Sequence, residues 1–362
     1  MASNTTRIIN NSDDLLNDSS WRTVDGVAFD IQTYYLWVIL ALGFPGNCAT
    51  IVTVIKMSPA RSLTVYIALL AVVDNLAIVN KLLLIVLLDH KIHVGQMGCK
   101  VLGYFGNFLI TFANWLLVAM SMERFAAVWF PLKIGQSWTF KKSILAVVLL
   151  SLPLCVLFLH LFWTMKFLVE KETGTFHCDI YKEYEYFMMH IWYWINIMVY
   201  AFIPCILLLL FNLLIIAGIM KSDKVQKFLH CNHGNKNANS GVDRHRPITI
   251  MLVTAAAVLV VLTTPRCVML ILTPYWNPDH QSMEGAIKYL LDTLAFLLCD
   301  LTHAINFYVY SLSAKRFRGH FIELCLCRHH KASQNTTQDV IIPCRTSVRI
   351  NMKSLSGEKA MM

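Results

Sequence analysis

Charged side chains interrupt several long apolar runs of this sequence, and they are the first candidates for chemistry. Asp74 lies inside the apolar run 63–88, and Arg124 lies near the end of the run 101–127. Four more ionisable residues stand in or beside such runs: Lys81, Arg266, Asp292 and Asp300. Charged groups are expensive in apolar surroundings, so they are usually paired or take part in function. Ion pairing and ligand binding are therefore the chemistry to expect.

The sequence offers no set of residues for covalent or hydrolytic catalysis. We find no nucleophile with a matched base and oxyanion donors, no phosphate-binding loop and no metal cage. His230, Cys231 and His233 are close together, but their number and spacing are poor for a metal site. We therefore expect a protein that is not an enzyme and that has no catalytic or metal site.

Long apolar segments must position these charged groups. The chain is 56% hydrophobic and only 15% charged, against about 25% charged in an average soluble domain. A helix needs about 20 mostly apolar residues to cross a bilayer. Segments of that kind lie at 34–56, 63–88, 101–127, 142–165, 188–220, 247–273 and 287–312. Lipid leaves the backbone no partner outside its own segment, and the runs lack the alternation of barrel strands, so we predict an all-α bundle of seven transmembrane helices.

The basic residues indicate how the bundle is oriented. Most of the 31 Lys and Arg residues fall in the first, third and fifth connections between the apolar segments and in the C-terminal tail, which all lie on the same side of the membrane. The positive-inside rule then predicts an extracellular N-terminus and a cytoplasmic C-terminus in the plasma membrane. The net charge of +9 reflects this orientation and the lipid bilayer, and we expect no nucleic-acid partner.

Three regions outside the seven apolar segments differ from them in composition: the N-terminal arm, a short amphipathic segment and the C-terminal tail. Residues 1–33 read as a polar, disordered extracellular arm with glycosylation triplets at Asn4, Asn10 and Asn17. Residues 313–327 read as an amphipathic membrane-surface helix, in which Cys325 and Cys327 are candidate palmitoylation sites. Residues 328–362 read as a disordered cytoplasmic tail, whose serines and threonines are potential phosphorylation sites that would recruit an arrestin.

Two of the eleven cysteines stand apart from the apolar runs. Cys99 lies at the outer start of the third helix, and Cys178 lies in the outer loop between the fourth and fifth helices. Both face an oxidising compartment, where a disulfide persists.

Polar motifs in nearly every helix resemble those of one family. They are Gly46-Asn47, Leu70-Ala71-Val72-Val73-Asp74, Glu123-Arg124-Phe125, Ile203-Pro204-Cys205 followed by Asn212, Thr264-Pro265, and Asn306-Phe307-Tyr308-Val309-Tyr310. This ordered set, with the spacing from Cys99 to Arg124, resembles the rhodopsin-like (class A) G-protein-coupled receptors over roughly 34–327. The resemblance implies that 34–312 is a seven-transmembrane receptor domain.

Several positions depart from the family pattern. Glu123 replaces the usual Asp, and Phe125 replaces the usual Tyr. Thr263 occupies the position of the family's switch tryptophan. Phe307 replaces the proline of the seventh helix. These departures resemble invertebrate neuropeptide receptors, including FMRFamide-receptor-like sequences.

The resemblance assigns roles to the inner and middle residues. Arg124 is implied to be held by Glu123 at rest and to meet a heterotrimeric G protein when the sixth helix swings outward. Pro204 and Pro265 mark helix kinks that serve as hinges, and Tyr310 is implied to move inward upon activation. The polar centre is implied to contain Asn47, Asp74, His303 and Asn306, with a possible sodium ion near Asp74.

At the outer end, the sequence argues against two ligand classes. Gly106 stands where amine receptors have an aspartate, and Asp300 stands where opsins have the retinal lysine. Family geometry instead predicts a Lys81–Asp300 ion pair on the pocket floor. Arg266 is either a contact for an acidic group of the ligand or a partner of Asp292.

The second outer loop and the head of the fifth helix favour a peptide ligand. His190 and Trp192 belong to a crowded aromatic segment that suits recognition. The same loop carries the acids Glu170, Glu172, Asp179, Glu183 and Glu185, which would attract a cationic partner. A basic, amidated extracellular neuropeptide is the first choice. A lipid or small-molecule ligand on the same fold, and a seven-helix transporter, are the alternatives.

Overall fold

A computed structural model describes residues 2–56, 62–90, 92–130, 139–169, 176–232 and 246–325 of the chain. Within these ranges, seven helices are long and apolar enough to cross a membrane. The chain is therefore a multi-pass membrane protein, and the predicted all-α seven-helix bundle is confirmed.

The helices are named here by their order along the chain. Helix one is Ala2–Lys56, helix two Ser62–Asp89, helix three Gly95–Trp129, helix four Phe140–Phe158, helix six Arg246–Leu272, helix seven Met283–Ser313 and helix eight Lys315–Cys325. Helix five joins a π-helical segment Phe187–Trp192, an α-helical segment Tyr193–Ile197, a second π-helical segment Met198–Phe202 and an α-helix Ile203–Asn232. A one-turn helix Leu161–Thr164 follows helix four, and a 3₁₀ turn Lys182–Tyr184 precedes helix five.

Helix one begins far earlier than the apolar pattern predicts. The segment 1–33 was expected to be disordered, yet the described backbone is helical from Ala2 onward. Pro45 is the first proline of the chain, so nothing N-terminal to the apolar run breaks the helix. The predicted glycosylation sites Asn4, Asn10 and Asn17 have side chains outside the described part of the structure and stay predictions.

Helix one and helix seven approach each other closely at two small residues. A Cβ at Gly43 would stand 2.9 Å from the Cβ of Ala304, and a Cβ at Gly46 would stand 3.2 Å from the Cβ of Phe307. Because real Cβ atoms essentially never approach below 3.0 Å, only glycine fits at Gly43. This contact brings the polar residues of helices one, two and seven together.

Helix four has an exposed apolar face, as expected for a helix in contact with lipid. Leu145, Leu149, Leu152 and Val156 recur at helical spacing, and each is more than half exposed. A soluble protein rarely leaves so continuous an apolar stripe uncovered. The stripe is therefore the lipid-facing side of this helix.

Two short strands, which the sequence did not predict, form a β-hairpin between helices four and five. Strand β1 is Met165–Val169 and strand β2 is Phe176–Ile180, and they pair antiparallel. Cys178 of β2 forms a disulfide with Cys99 of helix three, with a Cα–Cα distance of 5.7 Å. The pairing expected from these two cysteines is thus present. We call the end of the bundle that carries it the disulfide end, and the opposite end the Arg124 end.

A second link joins the hairpin to the same part of helix three. The Gln96 side-chain amide donates to the Met165 carbonyl at 3.0 Å and accepts from the Phe167 N–H at 2.8 Å. In this way it occupies the outer edge of β1, as a neighbouring strand would. Across the hairpin, Lys166 pairs with Asp179 at 3.5 Å. The backbone N–H of Ile180, with help from Lys166, holds the pKa of Asp179 below its usual range.

Helix eight lies against the Arg124 end of the bundle. Phe317 is buried, and the Phe321 ring centroid lies 4.9 Å from that of Phe307 on helix seven. The amphipathic helix predicted for 313–327 is therefore present as Lys315–Cys325. The side chain of Cys325, together with Cys327 and the tail 328–362, lies outside the described part, so palmitoylation and phosphorylation stay predictions.

Candidate functional site

Helix seven carries an acidic, an aromatic and a second acidic residue on one face near the disulfide end. Asp292, Phe296 and Asp300 recur at every fourth position, which places them in a row along the helix. Together with Lys81 of helix two and Arg266 of helix six they form a set that we call the charged ladder. Its members come from helices two, six and seven, so their contacts depend on how these three helices pack.

The inner part of the charged ladder is the ion pair between Lys81 and Asp300. Lys81 Nζ contacts Asp300 Oδ2, and the hydroxyl of Tyr35 on helix one donates to the same oxygen at 2.8 Å. Asp300 is only 7% exposed, and a buried carboxylate is costly unless donors surround it. The predicted pair is therefore present, whereas the contribution of Tyr35 was not predicted.

The outer part of the charged ladder is the ion pair between Arg266 and Asp292. Arg266 Nη1 lies 2.5 Å from Asp292 Oδ1, and the guanidinium carbon lies 3.6 Å from the ring centroid of Phe296. Lys81 Nζ lies 5.0 Å from the same centroid. Phe296 thus stands between two cations, which attract the face of its ring. Of the two alternatives for Arg266, the structure has the internal pair, and a contact with ligand stays a prediction.

Trp192 and His190 do not line this site, contrary to the expectation from sequence. The Trp192 ring is 7% exposed and packs on His160, with centroids 3.8 Å apart, and on Phe158. His190 is exposed and stacks on Tyr186. Both residues lie in the π-helical segment Phe187–Trp192, whose wider turns change the direction of side chains relative to an α-helix. The sequence assigned them to the pocket by composition alone, and a contact of either residue with a ligand stays a prediction.

A polar centre lies deeper in the bundle, between helices one, two and seven. Asp74 is 1% exposed; its Oδ1 shares a hydrogen bond with His303 Nδ1 at 2.7 Å, and its Oδ2 accepts from Asn306 Nδ2 at 2.8 Å. Asn47 Nδ2 donates to the His303 carbonyl and to Asn75 Oδ1, both at 3.0 Å. The predicted members of the centre are thus brought together, and Asn75 is an addition. The centre contains a carboxylate and several amides, as cation sites do, so we asked whether its residues fit a sodium ion.

The donors around Asp74 leave a sodium ion a poor fit. A sodium ion would need oxygen atoms around it, but the groups that contact the carboxylate are nitrogen donors of His303 and Asn306. Ala113 of helix three is fully apolar and buried, so it adds no oxygen from its side chain. These contacts compete with a cation for the carboxylate, so we expect sodium to bind weakly here, although Asn47 Oδ1 of the same centre is a buried oxygen without a hydrogen-bond partner among the described residues.

Helix three repairs the hydrogen bonding of helix five at Pro204. An N–H at residue 204 would donate to the carbonyl of Tyr200 in an α-helix, or to that of Val199 in a π-helix, but proline has none. Asn114 Nδ2 donates to the Tyr200 carbonyl and Trp115 Nε1 to the Val199 carbonyl, each at 2.9 Å. One missing N–H leaves only one of these carbonyls open, and side chains of helix three donate to both of them.

Two threonines just before Pro265 donate hydrogen bonds back to carbonyls of helix six. The hydroxyl of Thr263 donates to the Leu259 carbonyl at 2.9 Å, and that of Thr264 donates to the Val260 carbonyl at 2.6 Å. Hydroxyls that bond back along a helix favour a local bend. Neither hydroxyl donates to the Val261 carbonyl, which lies four residues before Pro265 and loses its backbone donor there.

Glu123 and Arg124 pair with each other at the Arg124 end. Arg124 Nη2 lies 3.1 Å from Glu123 Oε1, and both side chains are largely buried. The ring of Phe125 packs on Phe211 of helix five, with centroids 5.7 Å apart. The predicted local contact of Arg124 is present, whereas its release in a second state remains a prediction. His245, where the family has a second acid, lies outside the described residues.

Tyr310 lies inside the bundle, beside helix eight. It is 1% exposed, and its ring centroid lies 5.9 Å from that of Phe317. Among the described residues its hydroxyl has no hydrogen-bond partner. A buried hydroxyl without a partner is unfavourable, so a rearrangement that gives this hydroxyl a hydrogen-bond partner would lower the free energy.

Sequence reasoning missed five residues that complete these sites: Tyr35, Asn75, Phe296, Asn114 and Trp115. Phe296 had a signal, because it stands midway between two acids on one helix face. Asn114 also had one, since an amide in an apolar run is costly without a partner. Tyr35 and Trp115 had no such signal, because both types are common in membrane helices.

One family model matches most of the bundle. It is the model of the seven-transmembrane receptors of the rhodopsin family, and it matches residues 46–310. This range contains the polar centre, both kinked helices and the whole charged ladder.

Two individual receptors are similar over most of their length, and a rhodopsin is similar over a shorter segment. A thyrotropin-releasing hormone receptor of Gallus gallus is 25% identical over 319 residues, which cover 80% of this chain and 77% of the relative. A probable G-protein-coupled receptor of Caenorhabditis elegans is 22% identical, with 84% of this chain and 71% of the relative covered. A rhodopsin of Sardina pilchardus is 33% identical over 101 residues, or 27% of this chain and 29% of the relative.

Proposed function

Because the chain belongs to the rhodopsin family of seven-transmembrane receptors, the class A G-protein-coupled receptors, we propose that it is a plasma-membrane receptor for an extracellular peptide. In this proposal the disulfide end faces outward and binds the peptide. The Arg124 end faces the cytoplasm and passes the signal to a heterotrimeric G protein. Members of this family are receptors, and the proposal assigns the chain no enzymatic step.

Charge distribution supports this orientation. The disulfide Cys99–Cys178 lies at the proposed outer end, where an oxidising medium preserves it. Most of the basic residues belong to the connections and tail at the other end, as the positive-inside rule requires of the cytoplasmic side.

The charged ladder is the observation that carries the choice of a peptide. It places two cations, two carboxylates and an aromatic ring at the proposed outer end of the bundle. Its inner carboxylate is more buried than its outer carboxylate: the Asp300 side chain is 10% exposed and that of Asp292 is 35% exposed. A purely apolar ligand would gain nothing from these groups, while a peptide offers charged groups and amides that can exchange with them.

The segment that leads into helix five supports a basic peptide. Asp179, Glu183 and Glu185 are all exposed, and they stand on β2 and around the turn that follows it. Exposed charges of one sign speed the approach of a partner of opposite sign, and the effect weakens with salt. The relatives named as receptors for thyrotropin-releasing hormone support an extracellular messenger as the ligand class.

A functional screen tests the proposal. Cells that express the receptor would be challenged with a library of basic and acidic amidated peptides and with a matched panel of lipids, and calcium and cyclic AMP would be recorded. We expect responses to basic peptides and none from the variant Arg124→Ala at equal surface expression. Responses to lipids alone would contradict the peptide assignment.

Two variants then test where the peptide binds. Arg266→Glu places two acids beside each other in the outer ion pair and should shift peptide potency by more than tenfold. Lys221→Glu, at the Arg124 end, is the matched charge reversal and should leave potency unchanged. Unchanged potency in Arg266→Glu would remove the charged ladder from the binding site. Arrestin recruitment, proposed from the tail, would be followed in the same cells.

A further inference from the structure

A histidine is buried between the disulfide end of helix four and the head of helix five. His160 is 7% exposed, and it immediately precedes the one-turn helix Leu161–Thr164. Its ring centroid lies 3.8 Å from that of Trp192 and 5.9 Å from that of Phe187. Both of these aromatic residues belong to the π-helical segment of helix five, so the imidazole of His160 joins the two helices.

The hydrogen bonding of His160 indicates a neutral imidazole. Its Nδ1 lies 3.0 Å from the carbonyl oxygen of Leu157. A carbonyl oxygen can only accept, so Nδ1 carries the proton of this bond. Nε2 is buried and has no hydrogen-bond partner among the described residues. In the neutral form Nε2 holds only a lone pair, which is far less costly to bury than a charged N–H.

The elements packed around His160 bring it no counter-ion. Helix three contributes the phenol of Tyr104, and helix five contributes the exposed imidazole of His190. The β-hairpin contributes the ion pair between Lys166 and Asp179, whose acid is already engaged. In the described part of the chain, no carboxylate pairs with His160.

A proton on Nε2 would therefore place an uncompensated cation in an apolar cluster, which also contains Phe158 and Leu161. The ring of Trp192 attracts a cation and offsets part of the cost. Removing an ion from water without a hydrogen-bond partner for its new N–H costs more than one such ring returns. The protonated side chain is thus more stable in water than in the cluster, and Trp192 loses its closest ring contact when it leaves.

The next residue of helix five connects this contact to helix six. The hydroxyl of Tyr193 donates to the Leu270 carbonyl at 2.6 Å. Leu270 lies one helical turn beyond Arg266 of the charged ladder. A displacement at Trp192 can therefore reach the helix that carries Arg266.

We propose that His160 is an acid-sensitive support for the head of helix five: its neutral imidazole keeps Trp192 packed, and protonation releases it. The contact is complete at neutral and basic pH. It weakens as the pH falls below about 6.5, because a released histidine takes up a proton there and the packed one does not. The proposal goes beyond the proposed function, since it needs no peptide and concerns the receptor alone.

Hydrogen exchange tests the proposal on purified full-length receptor in lipid nanodiscs without ligand. Mass spectrometry would follow amide exchange in peptides that cover residues 187–193, because exchange reports local opening even when the open state is rare. Wild type and His160→Phe would be compared at the same pH, so the intrinsic effect of pH on exchange cancels. The phenylalanine keeps an aromatic ring and cannot take up a proton.

We expect the exchange rate of wild type relative to His160→Phe to rise about tenfold between about pH 7.5 and about pH 5.5, the factor for one proton taken up only by the released state. His190→Gln, an exposed histidine of the same segment, is the matched control and should respond as wild type does. If the phenylalanine variant folds poorly, His160→Gln replaces it, since its amide also stays neutral.

An equal response to pH in wild type and in the folded His160 variant would overturn the proposal. A response that disappears in His190→Gln would overturn it as well, because the exposed histidine would then be the sensor. Exchange that slows in wild type at acidic pH, relative to His160→Phe, would mean that the aromatic rings hold the imidazolium, and this too would exclude an acid-sensitive support. Since no ligand is present, a receptor that answers no peptide would contradict only the proposed function.

Discussion

The side-chain amide of Asn114 donates a hydrogen bond of 2.9 Å to the backbone carbonyl of Tyr200, one of the two carbonyls that an N–H at Pro204 could have reached. The two residues belong to helices three and five, so the bond makes the kink of one helix depend on the position of the other. Hydrogen bonds of this kind between membrane helices contribute about 0.6 kcal/mol on average, with a maximum near 1.7.

Asn114→Leu should lower the stability of the receptor by about 1 kcal/mol, because it leaves the Tyr200 carbonyl without a donor. Pro204→Ala restores a backbone N–H, and in that background the loss caused by Asn114→Leu should nearly vanish. Thermal unfolding of the four purified receptors completes a double-mutant cycle. An equal loss in both backgrounds would mean that Asn114 acts by another route.

Lys81→Ala should destabilise the receptor by about 2 kcal/mol, because it leaves the buried Asp300 carboxylate with the hydroxyl of Tyr35 as its remaining described donor. Adding Asp300→Asn removes the charge and should recover most of the loss. Surface expression and unfolding temperature would be compared for the single and double variants. A double variant no better than Lys81→Ala would refute the ion pair as the source of the stability.

Replacing sodium by potassium at constant ionic strength should leave the unfolding temperature unchanged, because nitrogen donors occupy both oxygens of Asp74. A site that binds sodium with a dissociation constant tenfold below the salt concentration would add about 1.4 kcal/mol. The variant Asp74→Asn is the control, since it weakens any cation site there. A rise in unfolding temperature with sodium, absent from Asp74→Asn, would restore the sodium site.

Glu123→Ala should raise signalling without ligand, because it removes the carboxylate that contacts Arg124 at 3.1 Å. A partner worth about 1 kcal/mol changes a two-state population ratio about fivefold. Basal G-protein activation would be measured by nucleotide exchange in membranes at matched receptor density, and Glu123→Gln would separate charge from size. Equal basal exchange in wild type and Glu123→Ala would exclude the resting contact as a latch.

The features that the sequence predicted correctly follow from two strong effects, the burial of apolar segments in lipid and the cost of an unpaired charge there. Seven apolar runs have to form helices, and costly charges such as Lys81 and Asp300 have to find each other. The helical character of residues before 34, by contrast, follows from the absence of a breaker rather than from any apolar signal. The packing of Trp192 on His160 and Phe158 depends on a π-helical segment, for which the sequence carries no clear mark. Phe296 and Asn114 acquire their roles only through residues of other helices.

Gln96 and Cys99 bind the β-hairpin from one turn of helix three, the first by hydrogen bonds to β1 and the second by a covalent bond to β2. A reducing environment would cut the covalent attachment and leave the amide in place. The hairpin would then pivot about helix three instead of detaching from it. Loss of the disulfide should therefore broaden the range of orientations at the receptor's entrance and still leave a recognisable loop there.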